Sequence, residues 1–270
     1  MNECNLLRDR DQTANLFGRI AIDAGFAIMR ALEARHHPDF KSDGSPVTAA
    51  DLAADQIIRD SLARHFPGLP VITEETCTAA TAADAACYAL VDPLDGTREF
   101  VKGSDEFTVN IALIADGAAV AGAVYAPALR RLYTGGASAH RLDVVGDHTA
   151  QSLDGLRPIR VRQAPPAGWR AVVSRSHLDP DTQRWIEAHR IVELCSAGSS
   201  LKFCTIAEGE ADVYPRLGPT MEWDTAAGQA VLLAAGGRVT DLDGKPMRYG
   251  KPAFRNGSFI AWGSVGNLAA

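Results

Sequence analysis

Two aspartates lie three positions apart in the segment VDPLDGTREF, directly after the apolar run CYALV. Such a run is typical of a buried strand, so Asp92 and Asp95 follow a predicted strand end. Pro93 stiffens the turn between them, and Gly96 allows the backbone to bend sharply. If this turn points the Leu94 carbonyl inward, the segment offers a carboxylate, a carbonyl and a second carboxylate in sequence. Hard oxygen donors of this kind suit a divalent cation.

Other acids follow a second apolar run or precede a helix. Glu74 and Glu75 come after PVIT, Asp224 comes before TAAGQAVLLAAGG, and Asp51 starts a predicted helix. Each acid has an ordinary alternative role as a helix cap or a turn residue. Crowded at neighbouring strand ends, however, these carboxylates would repel one another unless a cation lay among them. The pattern therefore favours Mg²⁺, Mn²⁺ or Ca²⁺, beside which the hydroxyl of Thr97 could orient a water.

The segment AGSSLKF offers groups that suit an anion. Gly198, Ser199 and Ser200 lie at a predicted helix start, where free backbone N–H groups and hydroxyls favour negative charge. Lys202 could reach the same anion. N-capping of the helix by Ser199 explains the same residues equally well, so both interpretations stay open.

Apolar periodicity places these residues on a layered fold. Helical spacing predicts helices over residues 13–35, 49–63, 180–188, 199–207 and 225–235, with Thr48 as the cap of the second. Short apolar runs predict strands, including a hairpin turned at Asp116 and Gly117. Strands first and strand–helix alternation later predict an α/β fold of the α+β layered type with two sheets. A polar loop predicts a boundary between a first part, 1–150, with helices and an antiparallel sheet, and an α/β second part, 151–270.

The composition narrows the classes of partner. The net charge is −6 without a long basic run, which argues against binding to nucleic acid. The first residues lack an apolar signal core, and no apolar stretch reaches the roughly 18 residues that span a bilayer. We expect a cytoplasmic protein without an integral membrane segment, with peripheral association at the inner membrane left open. The five cysteines lack CxxC spacing and predict reduced thiols, with Cys195 and Cys204 in the core.

A series of motifs resembles a known family. In chain order they are SPVTAAD, TEE, VDPLDGTREF, EFTVNIALI, VYAP, SRSH, GSSLKFC, ADVYPRLGP and EWDTAAGQAV. DPLDGT with the preceding EE and the later WDTAAG resembles the inositol monophosphatase superfamily of Mg²⁺-dependent, lithium-sensitive phosphatases. The longer series, which extends along nearly the whole chain, resembles its branch of CysQ-type 3'(2'),5'-bisphosphate nucleotidases. This resemblance implies an alternating αβαβα sandwich with two sheets.

The resemblance also implies roles for individual residues. The implied ligands of two or three Mg²⁺ ions, with Mn²⁺ as an alternative, are Glu74, Asp92, the Leu94 carbonyl, Asp95 and Asp224. The implied catalytic residues are Asp51, Thr97 and Glu74, of which Asp51 and Thr97 handle the attacking water. The implied substrate-binding residues are Asp95, Gly96, Thr97, His177, Gly198, Ser199, Ser200, Lys202, Arg216 and Asp224. Glu75 is implied to be a neighbour of the site without a direct contact to the metal.

Arg216 bears on the substrate. The resemblance implies an acid at this position in inositol monophosphatases, so an arginine here suggests a second negative group on the substrate. A surface arginine after a strand is the ordinary alternative. The implied reaction is hydrolysis of adenosine 3',5'-bisphosphate, a small phosphorylated nucleotide, to AMP and phosphate. Its phosphosulfated relative is implied as a further substrate, and the enzyme is implied to act in sulfur metabolism.

Two other functions stay open. The first is an inositol-phosphate or sugar-phosphate phosphatase of the same superfamily. The second is a structural Ca²⁺ site in a non-catalytic binding protein, although such a site needs neither Thr97 nor Asp51. The sequence leaves the oligomeric state open, including a homodimer.

Overall fold

A computed structural model describes residues 8–33, 39–40, 46–47, 49–77, 85–146, 153–175 and 178–264. The earlier elements are α1 (Arg10–Glu33), β1 (Asp39–Phe40), β2 (Pro46–Val47), α2 (Ala49–His65), β3 (Val71–Thr73), β4 (Cys87–Asp95), α3 (Thr97–Val101), β5 (Thr108–Ala115), β6 (Ala118–Ala126), β7 (Arg131–Gly135), β8 (Ala139–Asp143) and β9 (Arg157–Pro158). The later elements are β10 (Trp169–Ser174), α4 (Pro180–Ala188), β11 (Ile191–Ala197), α5 (Leu201–Ala207), β12 (Val213–Arg216), β13 (Thr220–Met221), α6 (Ala226–Ala234), β14 (Arg238–Thr240), a 3₁₀ turn (Pro252–Phe254), β15 (Arg255–Asn256) and β16 (Phe259–Trp262). Three of our predictions, the cap Thr48, the substrate residue His177 and the boundary at residue 150, lie outside the described residues.

The strands form two main sheets. In the described part of the chain, the larger sheet has seven strands in the order β3-β4-β5-β6-β7-β8-β9, and the smaller has five in the order β11-β10-β12-β16-β14. In the larger sheet β3 pairs parallel with β4, and the other neighbours are antiparallel. In the smaller sheet β10 runs parallel to β11 and β12, while β16 is antiparallel to β12 and β14.

Helices separate and cover the sheets. α1 and α2 pack on one face of the larger sheet, and α5 and α6 fill the space between the two sheets. α4 covers the outer face of the smaller sheet, where Trp185 packs edge-on against Trp262. This sequence of layers confirms the predicted αβαβα sandwich. The division into parts at residue 150 stays a prediction.

The central strands of the larger sheet are apolar on both faces because helices cover both faces. On β4, Tyr88 and Leu90 belong to the core between the sheets, whereas Ala89 and Val91 belong to the core under α1 and α2. The strand is therefore buried along its length, as the run CYALV predicts. The strand ends at the polar residue Asp95, which is half-buried at the edge of the core.

Local chemistry explains where the element bounds match the prediction and where they differ. The hairpin turn is confirmed, and Asp116 and Gly117 both have positive φ, 46° and 72°, as a tight β-hairpin requires. α1 begins at Arg10 instead of residue 13, because the Asp9 carboxylate accepts a hydrogen bond from the Gln12 N–H at 2.9 Å. The prediction that Cys195 is a core residue is wrong: it is half-buried, because β11 is an edge strand.

Candidate active site

A bulge shapes the end of β4. Asp92 pairs with Asn110 of β5, but Asp95 pairs with Thr108, so two residues of β4 oppose one residue of β5. Within the bulge the Leu94 N–H donates to Asp92 Oδ1 at 3.0 Å. The extra residue bends the strand between the two acids, while Asp92 and Asp95 both keep their partners on β5. The sequence predicts that these acids follow the strand, whereas both belong to the bulged last part of β4.

The next residue, Gly96, cannot be replaced without strain. Its φ of 91° lies in the left-handed region, and a Cβ there would be 2.4 Å from Ser199 Oγ. The Ser199 hydroxyl reaches into this space to donate to the carbonyls of Asp95, at 2.9 Å, and Glu106, at 3.1 Å. The glycine thus allows the segment before α5 to lie directly against the end of β4.

The structure excludes the capping roles considered for Ser199 and Asp224. Ser199 has a φ of 46°, and α5 begins at Leu201 without a side-chain cap. Thr225 precedes α6, and the Asp224 carboxylate accepts hydrogen bonds from the Thr220 hydroxyl and the Met221 N–H instead. Neither side chain therefore caps a helix.

Ser200 connects the two half-buried acids Asp95 and Asp224. Its hydroxyl lies 2.6 Å from the Asp224 carbonyl and 3.3 Å from Asp95 Oδ2. Asp95 Oδ2 also receives longer contacts from Thr108, at 3.5 Å, and Asn110, at 3.4 Å. The sequence-distant segments at β4 and α6 are thereby held side by side.

Burial raises the pKa of three of the acids, and neighbouring carboxylates add to the shift of Asp92 and Asp95. Burial, followed by the charges of Glu74, Asp95 and Asp224, raises the pKa of Asp92 well above its usual value. Burial and the neighbouring Asp224 raise the pKa of Asp95 from 3.8 to about 7, although Lys202 opposes the shift. Burial also raises the pKa of Asp224. Four acids from three segments therefore share one site, which is unfavourable for their charged forms.

The donor set fits a hard divalent cation. All the grouped donors are oxygens, which suit Mg²⁺ or Mn²⁺ better than softer metals. In the part of the chain that the structure describes, no three His, Cys, Asp or Glu side chains form a group that could hold an ion alone. Mg²⁺ commonly keeps several waters and takes only one or two carboxylates, together with substrate phosphate oxygens. The arrangement therefore agrees with ions whose remaining ligands are a backbone carbonyl, water and substrate.

Thr97 lies beside these acids at the start of α3. Its hydroxyl is 3.1 Å from Asp51 Oδ1 on α2 and 3.1 Å from the Leu94 carbonyl. Asp51 is buried, so its carboxylate is held in place by the surrounding helix and strand. The structure brings together the two residues that were predicted to handle the attacking water.

Asp95 and Asp224 line a cleft of about 150 Å³ that also contains cations. Its walls are formed by Asp95, Gly96, Glu99, Ser174, Arg175, Gly198, Ser199, Lys202, Phe203, Tyr214, Arg216, Thr220, Asp224 and Thr225. Lys202 is buried, and its ammonium donates to the carbonyl of Ser199, in the segment that precedes α5, at 2.6 Å. Burial lowers the pKa of Lys202 to about 8, while Asp95 counteracts the shift. The Arg216 guanidinium donates to the carbonyls of Gly218, at 3.3 Å, and Pro219, at 2.8 Å.

Several cleft residues are not among the predicted site residues. Arg175 and Tyr214 occur within the motifs SRSH and ADVYPRLGP, but nothing in their spacing indicates that they face the acids. Glu106, whose carboxylate accepts the N–H of the cleft residue Gly198, begins the strand-like run EFTVNIALI and has no such signal either. The positions of Arg175 and Glu106 depend on their contact with each other and on that of Glu106 with Gly198, which a local pattern does not encode.

The family model described as the inositol monophosphatase family matches residues 9–265. The chain belongs to the inositol monophosphatase family. It is 43% identical over 234 residues to the 3'(2'),5'-bisphosphate nucleotidase CysQ of Escherichia coli strain K12, covering 86% of this chain and 91% of that protein. It is 38% identical over 251 residues to the protein of the same name from Buchnera aphidicola, covering 90% of this chain and 91% of that one.

Solved structures of the family share the fold. The crystal structure of CysQ from Bacteroides thetaiotaomicron matches with a TM-score of 0.80 and 38% identity, covering 93% of this chain and 97% of that one. The inositol monophosphatase from Anabaena matches with a TM-score of 0.72 and 26% identity, covering 94% and 92%. None of the described helices is long and apolar enough to cross a membrane.

Proposed function

We propose that this chain is a Mg²⁺-dependent 3'(2'),5'-bisphosphate nucleotidase, which hydrolyses adenosine 3',5'-bisphosphate to AMP and phosphate. Its phosphosulfated relative is a second substrate of the same kind. The proposal rests on relatives of that name at 43% and 38% identity over most of the chain. The cytoplasmic location, peripheral membrane association and homodimer stay predictions.

One observation at the site carries the proposal. A single cleft is lined by the acids Asp95 and Asp224 and by the cations Lys202 and Arg216. A phosphate ester cannot settle among carboxylates unless cations lie between them, so the acidic part suits a metal-bridged reacting phosphate. The cationic part suits an additional anionic group of the same molecule. A substrate with two phosphates uses both parts.

The residues that would hold the ions are Glu74, Asp92, Asp95, Asp224 and the carbonyl of Leu94. When bound, Mg²⁺ neutralises charge on the phosphoryl and leaving oxygens and lowers the pKa of the attacking water. Two or three ions, or Mn²⁺ in their place, fit the same donors. The carboxylates, which repel one another in the protein alone, contribute the charge that attracts these ions.

The chain's own groups orient the reaction. The Thr97 hydroxyl can donate to Asp51 Oδ1 while its lone pairs accept a hydrogen bond from a water. That arrangement directs the water toward the cleft and gives its proton a path to the Asp51 carboxylate. Gly96 and the segment Gly198–Ser200 let the backbone lie close to the phosphate, and Arg216 binds the second phosphate.

The substrate is tested by phosphate release from three compounds. Purified protein with Mg²⁺ should release phosphate from adenosine 3',5'-bisphosphate with a higher kcat/KM than from inositol 1-phosphate or fructose 1,6-bisphosphate. Lithium should inhibit this release, as the family resemblance implies. A preference for inositol 1-phosphate would replace our proposal with the inositol-phosphate phosphatase of the same family. Tight Ca²⁺ binding without any phosphate release would instead support a structural calcium site.

A further inference from the structure

Arg175 lies at the cleft without a role in the function proposed above. It directly follows β10, its side chain lines the cleft, and that side chain is 54% exposed. Its Nη2 forms an ion pair with Glu106 Oε1 at 3.0 Å. A surface arginine of this exposure usually samples many conformations, but this one forms an ion pair with a largely buried carboxylate.

Glu106 is itself firmly held. Its side chain is only 18% exposed, and its second carboxylate oxygen accepts the Gly198 N–H at 2.9 Å. The two segments touch so closely that a Cβ on Gly198 would lie 2.6 Å from the Glu106 carbonyl. The partner of Arg175 is therefore fixed against the segment that precedes α5.

The same contacts connect Arg175 to the acidic part of the cleft. The single hydroxyl hydrogen of Ser199 is shared between the Glu106 carbonyl, at 3.1 Å, and the Asp95 carbonyl, at 2.9 Å. Asp95, Ser199, Glu106 and Arg175 thus form a continuous series of contacts. The guanidinium therefore lies on the wall of the cleft that Asp95 and Asp224 also line, as recognition of two groups on one ligand requires.

Of the cleft cations Lys202, Arg175 and Arg216, Arg175 has the most N–H donors available for a ligand. Arg216 places two of its nitrogens on the carbonyls of Gly218 and Pro219, and Lys202 donates to the segment beneath it. Among the contacts of the described residues, Arg175 uses one nitrogen, on Glu106. A guanidinium carries five N–H groups, so several remain for bidentate binding of a phosphate.

We propose that Arg175, held by Glu106, is a substrate-binding residue for the second phosphate, the one that is not hydrolysed. The ligand is a phosphate monoester dianion that is attached to the same nucleoside as the reacting phosphate, but at another position. This inference rests on the proposed function, and it adds a residue that decides between substrates with one phosphate and those with two.

The test compares Arg175→Ala with wild type on adenosine 3',5'-bisphosphate and on adenosine 3'-monophosphate, which lacks the second phosphate. Arg184→Ala is the matched control, because Arg184 is an exposed, ion-paired arginine on α4 that does not line the cleft. Loss of one charge-assisted contact should raise KM for the bisphosphate about 10- to 100-fold, with little change in kcat. KM for the monophosphate should stay close to wild type, and Arg184→Ala should change neither.

Glu106→Gln separates ligand binding from a bracing role. Glutamine keeps an acceptor for the Gly198 N–H but removes the ion pair with Arg175. If Arg175 only braced Glu106, both variants would lower kcat/KM for the two nucleotides equally, and our inference would be wrong. Unchanged kinetics of Arg175→Ala on the bisphosphate would also overturn it.

Binding of AMP in EDTA tests the inference independently of turnover. AMP carries the second phosphate but no reacting one, and without cations the acids repel its phosphate. Calorimetry should give a weaker Kd for Arg175→Ala than for wild type and Arg184→Ala. An inactive wild type that still binds AMP through Arg175 would overturn the proposed function and leave this inference supported. Equal affinities of the three proteins would overturn the inference alone.

Discussion

The Thr97 hydroxyl lies 3.1 Å from the carboxylate of Asp51, a residue 46 positions earlier in the chain. The same hydroxyl lies 3.1 Å from the Leu94 carbonyl, which is a predicted metal ligand. One hydroxyl hydrogen is shared between these two acceptors, and the lone pairs of the oxygen remain for a water. The pair thus joins a proton acceptor to the predicted metal site.

Removing this hydroxyl should slow the chemical step. Thr97→Val keeps the shape of the side chain but removes the hydroxyl that orients the water. We predict a fall in kcat of about 100- to 10,000-fold, the usual contribution of a positioned acid–base group. Steady-state kinetics would measure it, with Thr97→Ser as a control that keeps the hydroxyl and most of the activity. A kcat near that of wild type for Thr97→Val would show that the water is handled by other residues.

A methyl group on Gly96 should destabilise the junction between β4 and α5. Gly96→Ala combines a left-handed backbone with a contact of 2.4 Å to Ser199 Oγ. Gly103→Ala is the matched control, since Gly103 has a φ of 74° but no atom within 4 Å of the added Cβ. Backbone strain alone costs about 1–3 kcal/mol and applies to both variants. Because of the added contact, Gly96→Ala should lower the free energy of unfolding in urea more than Gly103→Ala does. Equal losses of stability would mean that the segment before α5 moves away without cost.

The mutual repulsion of the acids predicts an unusual pH dependence without metal. The folded-state pKa of Asp95 is raised from 3.8 to about 7, so the folded state binds more protons than the unfolded state in this window. Its stability in EDTA should therefore fall as pH rises from 3.8 to about 7. Asp95→Asn should lack that component of the decline, and Mg²⁺ should stabilise wild type more than the variant.

The same variant tests the metal site by activity. Asp95→Asn should abolish turnover while the chain still folds, as circular dichroism would record. If Asp95→Asn kept wild-type activity, the ions would have to bind elsewhere. If the stability of wild type and of Asp95→Asn in EDTA changed equally with pH, the Asp95 carboxylate would not belong to the group of mutually repelling acids.

A second pH prediction concerns the start of α4. The Asp179 carboxylate accepts the Thr182 N–H at 2.9 Å and the Thr182 hydroxyl at 2.6 Å. Partial burial opposes the shift, but these hydrogen bonds lower the pKa of Asp179 below 3.8. Asp179→Ala should cost about 1 kcal/mol at neutral pH. Because the folded-state pKa is depressed, the difference should shrink as pH falls below 3.8. A difference that stayed constant down to low pH would show that the charge of Asp179 does not contribute.

The sequence predicts the elements better than it predicts their contacts. Helix spacing, the Asp116–Gly117 turn and the apolar strand at residues 87–91 are local patterns, and the structure confirms them. The grouping of the acids was also predictable, because carboxylates that follow neighbouring strands meet at one edge of a sheet and repel one another without a cation. The β4 bulge was not predicted, since its register depends on pairing with Asn110 and Thr108 of another strand.

Long-range contacts decide the rest of the site. Ser199 was predicted to cap a helix or bind an anion, but its hydroxyl joins Asp95 to Glu106 because Gly96 leaves space for it. Arg175 was missed for the same reason, since its position depends on Glu106, far away in sequence. The roles of the individual site residues stay predictions until variants are measured.

The most direct test of the account identifies the product. Adenosine 3',5'-bisphosphate would be incubated with the protein in Mg²⁺ and in EDTA and followed by ³¹P nuclear magnetic resonance. The account predicts inorganic phosphate and adenosine 5'-monophosphate in Mg²⁺, and unchanged substrate in EDTA. Adenosine 3'-monophosphate as the product, or equal release in EDTA, would contradict it.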